Sequence, residues 1–424
     1  MTALFWTCVA LLIYIYVGYP LMCAGLAAVM RRWPAQGPAT TFRTPRRAPA
    51  ARRVPVPAAA AGNEMAVAPD AGRGDVDADA SAPPRVTVLI AAYNESERIA
   101  ATVENKLSQD YPRDRLEIIV VSDGSSDGTD EIVAGYAAEG VRLIRQEPRA
   151  GKTSALNLAQ QQVTGDVIAF SDANSVWARD ALRHLVAPLA DLAIGYVTGR
   201  MVYRAADGSL TGEGCSAYMR YENRLRWWET GIGSVVGVDG GIDVVRRGLY
   251  APMRPDQLPD FVLPLSVRER GYRVVYAPGA LLYEDVLTAA RDEWRMRVRV
   301  ALRAWWALKD KARLLNPLRY GLYAWQLLSH KVLRYLAGLF QAGALMANAL
   351  VVLTGGGVFW SLLLMAQVTF YGLALASAVR RPGAGELPRA LGFPYYLCLL
   401  NAAALVALGR FLRGEKKVVW RPRT

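Results

Sequence analysis

The chain has 424 residues, 53% of them hydrophobic, and carries 50 Lys and Arg against 37 Asp and Glu, a formal charge of +13. The apolar share exceeds that of an ordinary soluble domain and gathers at the two ends, which argues against a purely soluble protein. Four cysteines without CxxC spacing and two histidines argue against a zinc site, so any metal is expected to be a hard ion held by carboxylates. Much of the positive charge flanks the apolar runs, and aromatic-basic repeats are absent. Anionic lipid headgroups and diphosphates are therefore expected as partners, and nucleic acid is not.

From Ala3 to Met30 the sequence is almost wholly apolar and ends in Arg31 and Arg32, long enough to cross a hydrocarbon core of about 30 Å. Its length, non-basic start and lack of a small-residue cleavage site argue against a signal peptide. Residues 1–32 are thus expected to form a transmembrane helix whose basic end lies in the cytosol. Residues 33–84, rich in Pro, Ala, Arg and Asp, hold too few large apolar side chains to order themselves and predict a disordered linker.

At Arg85 the texture changes. Strand-like runs at Val86–Ala91, Glu117–Val121, Val141–Ile144 and Val167–Phe170 alternate with helical patterns at 96–109, 127–138, 152–163 and 178–190. Such alternation predicts an α/β domain over 85–290, with a mostly parallel sheet, helices on both faces and ligands at the carboxyl ends of the strands. Residues 291–332 predict interfacial amphipathic helices. Within Glu293–Leu308, Trp294, Trp305 and Trp306 suit headgroup depth, and Arg295, Arg299 and Arg303 form a basic ridge at i, i+4, i+8.

Membrane helices are expected within 333–412, at Leu333–Leu353, Val358–Val379 and Leu391–Phe411, followed by a basic tail at 413–424. Basic clusters at Arg380/Arg381 and Arg410–Lys417 favour cytosolic flanks. One crossing followed by three more would put the tail outside, so either one run is re-entrant or interfacial or the tail breaks the positive-inside rule.

The loops after the strands carry the chemistry. The first strand ends in Ala91-Ala92-Tyr93-Asn94-Glu95, and the second leads into Ser122-Asp123-Gly124-Ser125-Ser126-Asp127-Gly128-Thr129. A carboxylate directly after a buried strand accepts hydrogen bonds from a uracil N–H or a ribose hydroxyl. An ordinary turn uses the same residues, and Ser126 and Asp127 suit a helix cap better. Val167–Phe170 delivers Ser171-Asp172-Ala173-Asn174, where a carboxylate and an amide oxygen suit one Mg²⁺ or Mn²⁺ beside a leaving diphosphate; an Asx-turn is the alternative. Arg149-Ala150-Gly151-Lys152-Thr153 imitates the end of a P-loop, but Gln146 stands where that loop needs glycine. The segment still opens a helix whose N-terminus and Lys152 suit a phosphate or a sugar.

These motifs together resemble a family 2 glycosyltransferase of the GT-A fold from Val86 to about Leu308: the opening Ala91–Glu95, Asp123 in SDGSSDGT, GKxxALN at Gly151–Asn157, and Asp172. The resemblance covers roughly half the chain and is closest to membrane synthases of the cellulose, hyaluronan and poly-N-acetylglucosamine type. It implies a membrane-bound inverting hexosyltransferase using a nucleotide sugar, with uridine the expected base, a divalent metal, and a lipid-linked or polysaccharide acceptor. Donor binding then falls to Ala92, Tyr93, Glu95, Asp123, Lys152, Asp172, Arg297 and Arg299, metal binding to Asp172 and Asn174, and acceptor binding to Gly237, Asp239 and Gly240 of the Val236–Ile242 loop. Asp260 is the implied catalytic base; a helix cap is the alternative.

The chain departs from the family pattern in three places. Asn174 replaces the last Asp of the metal motif, Pro259 replaces the Glu before the base, and the Gln-x-x-Arg-Trp motif of processive synthases is absent, leaving Arg297 and Arg299 in its region. Single-sugar transfer to a ceramide-like or polyprenyl-phosphate-like lipid is therefore the main alternative to polymer synthesis, and an inactive membrane scaffold the alternative outside enzymology. The expected setting is an integral protein of a bacterial-type cytoplasmic membrane with its catalytic domain in the cytosol.

Overall fold

The computed structural model describes residues 1–30, 82–204, 210–285, 290–379 and 392–418. Almost all of the expected linker, the basic pairs Arg31/Arg32 and Arg380/Arg381, and the tail beyond Val418 lie outside the described residues. At the N-terminus α1 (Thr2–Ile13) continues through a π turn at Tyr14–Gly18 into α2 (Tyr19–Met30), giving one apolar rod of 29 residues.

The α/β domain follows as β1 (Val86–Ala92), α3 (Ile99–Leu107), β2 (Leu116–Ser122), α4 (Thr129–Ala134), β3 (Val141–Arg145), α5 (Lys152–Gln160), β4 (Val167–Asp172) and β5 (Val176–Trp177). It continues with α6 (Ala181–Val186), β6 (Ile194–Arg204), α7 (Leu210–Ile232), β7 (Asp243–Arg246), α8 (Pro259–Glu269), β8 (Arg273–Asp285) and α9 (Ala290–Asp310). After α9 come the short α10 (Pro317–Tyr320) and α11 (Leu322–Leu327), then α12 (Ala337–Leu353), α13 (Gly357–Val379) and α14 (Gly392–Leu412).

Among the described residues eight strands form one sheet in the order β3-β2-β1-β4-β7-β6-β8-β5. Every residue of β1 is buried, because parallel strands covered on both faces need continuous apolar runs such as Val86–Ala92. The sheet is mostly parallel as expected, with two reversals: β7 runs antiparallel to both β4 and β6, and β5 antiparallel to β8. Alternating strand and helix specifies the β3-β2-β1-β4 half, where each strand feeds a crossover helix. Beyond β4 the sheet is mixed: β6 and β8 run parallel to each other and in the direction of β4, while β7 and β5 run the other way.

Among the described residues three helices are long and apolar enough to cross a membrane, Thr2–Met30, Gly357–Ala378 and Pro394–Leu412, consistent with an integral membrane protein. The expected run at Leu333–Leu353 takes a different form. Leu322–Leu333 and Ala337–Leu353 meet at 59°, a broken span or a re-entrant loop. The hydrophobic face of α9 is covered by α14: Val298, Ala301 and Leu302 pack on Ala403 and Ala407, and Trp306 meets Phe411 edge-on at 4.8 Å.

Candidate active site

Three charged side chains from three elements meet above the middle of the sheet. β4 ends at Asp172, α5 begins at Lys152 and α8 begins at Asp260. Lys152 Nζ lies 2.6 Å from Asp172 Oδ1 and 3.7 Å from Asp260 Oδ1. Burial alone would lower the Lys152 ammonium, but the two carboxylates outweigh it and hold it above its ordinary range. For Asp260 burial acts the other way: it raises the carboxyl, Lys152 draws it back and Asp172 reinforces the rise, with a net upward shift. The 28% of its side chain that is exposed faces the cavity described below. Gly240 makes that position possible, since with φ +83° a Cβ there would fall 2.3 Å from the Asp260 carboxyl carbon.

Asn174 follows Asp172 at the same strand mouth, with Nδ2 3.5 Å from Glu284 Oε1. Asp172, Asn174 and Glu284 are all hard oxygen donors, a chemistry that fits Mg²⁺ or Mn²⁺. Among the described residues no group of three or more His, Cys, Asp and Glu gathers to form a metal cage.

Asp123 organises the neighbouring loop. Fully buried, it accepts hydrogen bonds from Gln146 Nε2 at 2.5 Å, Ala150 N at 2.8 Å and Gly151 N at 2.9 Å, and Arg149 Nε lies 3.6 Å away. Arg149 also covers the Tyr93 ring at 3.3 Å, while Ala92 O accepts from Asp123 N. Asp127 caps the start of α4, accepting from Thr129 N at 3.1 Å and Ser96 N at 3.0 Å. Those hydrogen bonds outweigh its slight burial and lower it to about 2.

A cavity of about 720 Å³ joins these groups, and Glu95, Lys152, Asp172, Asn174 and Asp260 line it. Gly237 and Asp239 of the Val236–Ile242 loop also line it, whereas Gly240, Tyr93 and Asp123 do not. The Asp239 carboxylate is already engaged, 2.6 Å from Arg226 Nη1 and accepting from Met201 N. Arg297 lines the cavity but is a clamp as well, bonded to Glu293 at 2.7 Å and to the Tyr396 hydroxyl at 2.6 Å. Arg299 lines the cavity, and Arg295 of the expected ridge is exposed. Arg303 turns inward to bind Thr153 Oγ1 at 3.1 Å, and burial lowers it to about 10 against the pull of Asp260.

Sequence reasoning missed Asp243, Arg226, Glu222 and Lys331. The first lies beneath Gly240, whose N–H it accepts at 2.9 Å, and the other three line the cavity. None sits in a motif; their partners are distant in sequence and close only in the fold.

Residues 87–242 match the family description Glycosyl transferase family 2. The chain is 32% identical over 234 residues to a probable glycosyltransferase, YdaM, of Bacillus subtilis, covering 51% of this chain and 54% of that protein. It is 29% identical over 223 residues to a poly-β-1,6-N-acetyl-D-glucosamine synthase of Staphylococcus aureus, covering 51% and 53%. The chain thus spans about half the length of the curated relatives it matches. A mannosyltransferase of Pyrobaculum calidifontis, solved with GDP-Man and Mn²⁺, shares the fold with a TM-score of 0.66 and 24% identity over 97% of this chain and 99% of that one. The sheet, the strand-end motifs and these likenesses define a family 2 glycosyltransferase domain of the GT-A fold, followed here by apolar helices.

Proposed function

We propose that the protein is a membrane-bound inverting hexosyltransferase that moves a sugar from a nucleotide-sugar donor to a lipid-linked or polysaccharide acceptor. The observation that carries this is the convergence of Asp172, Lys152 and Asp260 in one cavity of a family 2 domain. Asp260 takes the proton of the acceptor hydroxyl as its oxygen attacks the anomeric carbon. The bond to the diphosphate breaks on the opposite face, which inverts the centre. Lys152 and Arg299 hold the diphosphate, and Asp123 fixes the loop that receives the base and ribose. Asp172 and Asn174 would hold a divalent ion, which when bound neutralises charge on the departing diphosphate. The elevated carboxyl of Asp260 makes it a better proton acceptor than an exposed aspartate.

The test is release of nucleoside diphosphate by the purified protein in lipid nanodiscs, over uridine and guanosine sugars with and without Mn²⁺ or Mg²⁺. Transfer from one donor that Asp260→Asn slows by about 10²–10⁴ is the expected result. No release from any donor, with membrane extract supplied as acceptor, would return the chain to the scaffold alternative.

A further inference from the structure

The cavity has a second arm that the transfer chemistry leaves unused. From Asp260 it runs past Phe261 and Gly237 and continues between the N-terminal rod and α14, lined by Tyr16, Val17, Leu397, Leu400 and Ala404. These residues belong to helices apolar enough to cross a membrane, and Val17 is 51% exposed at the protein surface. The arm therefore joins the transfer site to the zone where lipid meets protein.

Two hydrogen-bond donors along this arm lack acceptors. Among the described residues Lys331 Nζ makes no hydrogen bond or ion pair; it stands 5.7 Å from the Phe261 ring centroid and within 2.5 Å of where a Cβ on Gly237 would lie. Asn401 is 3% exposed; its Oδ1 accepts from the Tyr16 hydroxyl at 2.7 Å, and its Nδ2 has no partner. Buried polar groups normally find partners, so a donor left without one inside a cavity points to a ligand that supplies it. The nearby Arg334 is already committed to Glu222. An ammonium among the charged side chains Glu222, Arg226 and Arg334, and an amide N–H farther along where the lining turns apolar, match anionic oxygens carried on an apolar chain.

We propose that this arm binds the acceptor, and that the acceptor is a membrane lipid with a phosphate in its headgroup and a hydroxyl beyond it. Lys331 takes the phosphate, the hydroxyl reaches Asp260, and the hydrocarbon chain leaves between the N-terminal rod and α14. A neutral glycan offers Lys331 no counter-charge. The inference rests on the transferase reading.

The experiment supplies full-length protein in neutral-lipid nanodiscs with labelled donor and one acceptor at a time: phosphatidylglycerol, a polyprenyl-diphospho-sugar, diacylglycerol, a neutral glycosyl-diacylglycerol or a soluble oligosaccharide. Label is expected in a phosphate-bearing lipid, without competition from inorganic phosphate. Lys331→Gln should raise KM for that lipid by about tenfold or more, the order for a lost charged hydrogen bond, and Lys331→Arg should restore it. Leu400→Trp, which fills the arm, should raise the same KM. Equal labelling of a neutral lipid or the oligosaccharide, or an unchanged KM in Lys331→Gln, overturns the inference. Wild-type release of nucleoside diphosphate separates the two readings. Release without preference for a phosphate-bearing lipid removes this inference alone, and no release removes both.

Discussion

Asp243 sits 1% exposed under the Val236–Ile242 loop, and burial pushes its carboxyl up to about 8. At neutral pH it is largely protonated in the folded protein and ionised in the unfolded chain. Its contribution to stability is thus greatest below the unfolded value of 3.8 and declines as pH rises through about 8, above which this contribution is gone. Thermal melts between those limits should show the decline, and Asp243→Asn, which keeps an acceptor for Gly240 N, should flatten it. A melt series unchanged by that substitution would assign the decline elsewhere. Asp260 is also shifted upward, so the acid limb of the transfer rate should lie above the ordinary carboxylate range, in a pH profile of kcat/KM. Asp260, Asp172 and Lys152 were legible because each follows a strand end or opens a helix within a short motif. Asp243 was not, since its importance comes from burial that only the packed loop above it creates.

At the scale of elements, α7 holds the Val236–Ile242 loop in place. Arg226 reaches from α7 to Asp239 across 2.6 Å, with only 5% and 4% of the two side chains exposed. Removing one member of such a pair leaves the other charge buried and alone. Arg226→Ala should therefore destabilise the domain by about 3–5 kcal/mol, visible as a lower midpoint in chemical denaturation. The double change Arg226→Met with Asp239→Leu should recover much of that loss, because well-packed apolar groups commonly replace a buried pair without penalty.

Farther along α7, Glu222 and Glu229 flank His330 at 3.2 and 2.7 Å, and Glu229 also accepts from the Tyr19 hydroxyl at 2.6 Å. This network ties α2, α7 and the Leu322–Leu333 helix together. Nothing in the sequence around Leu210–Ile232 announces it. The hydrophobic pattern that marks β1 to β4 does not mark strand direction either, so the parallel half of the sheet was legible and the reversals at β7 and β5 were not. Such reversals depend on which distant strand offers a free edge, a property of the assembled sheet.

The arrangement of the whole molecule bears on the parity problem that four apolar runs create. The segment after α14 returns to the catalytic domain: Trp306 Nε1 donates to Glu415 O at 2.8 Å, Lys416 Nζ lies 2.7 Å from Asp256, and Val418 O rests against Gly151. The chain must therefore cross an even number of times between α9 and the tail. Side-chain exposure suggests which helices cross. Large apolar residues stand open on α1, α12 and α13, among them Leu4, Trp6, Met346, Leu350, Phe359 and Leu362, whereas those on α14 are Val406 and Leu412. α14 runs beside α9 from Tyr396 at Arg297 to Phe411 at Trp306, and a membrane-spanning α14 would carry the arginine-rich α9 into hydrocarbon with it. A hairpin of α12 and α13 crossing twice, with α14 lying at the interface, satisfies both the contacts and the positive-inside rule. In sealed proteoliposomes, single cysteines at Lys417 and at Glu139 of the catalytic domain should react with an impermeant thiol reagent from the same side, and one at Thr354 from the other. Labelling of Lys417→Cys and Thr354→Cys from one side would instead mean that the 59° bend closes a re-entrant loop and that the crossings are α13 and α14.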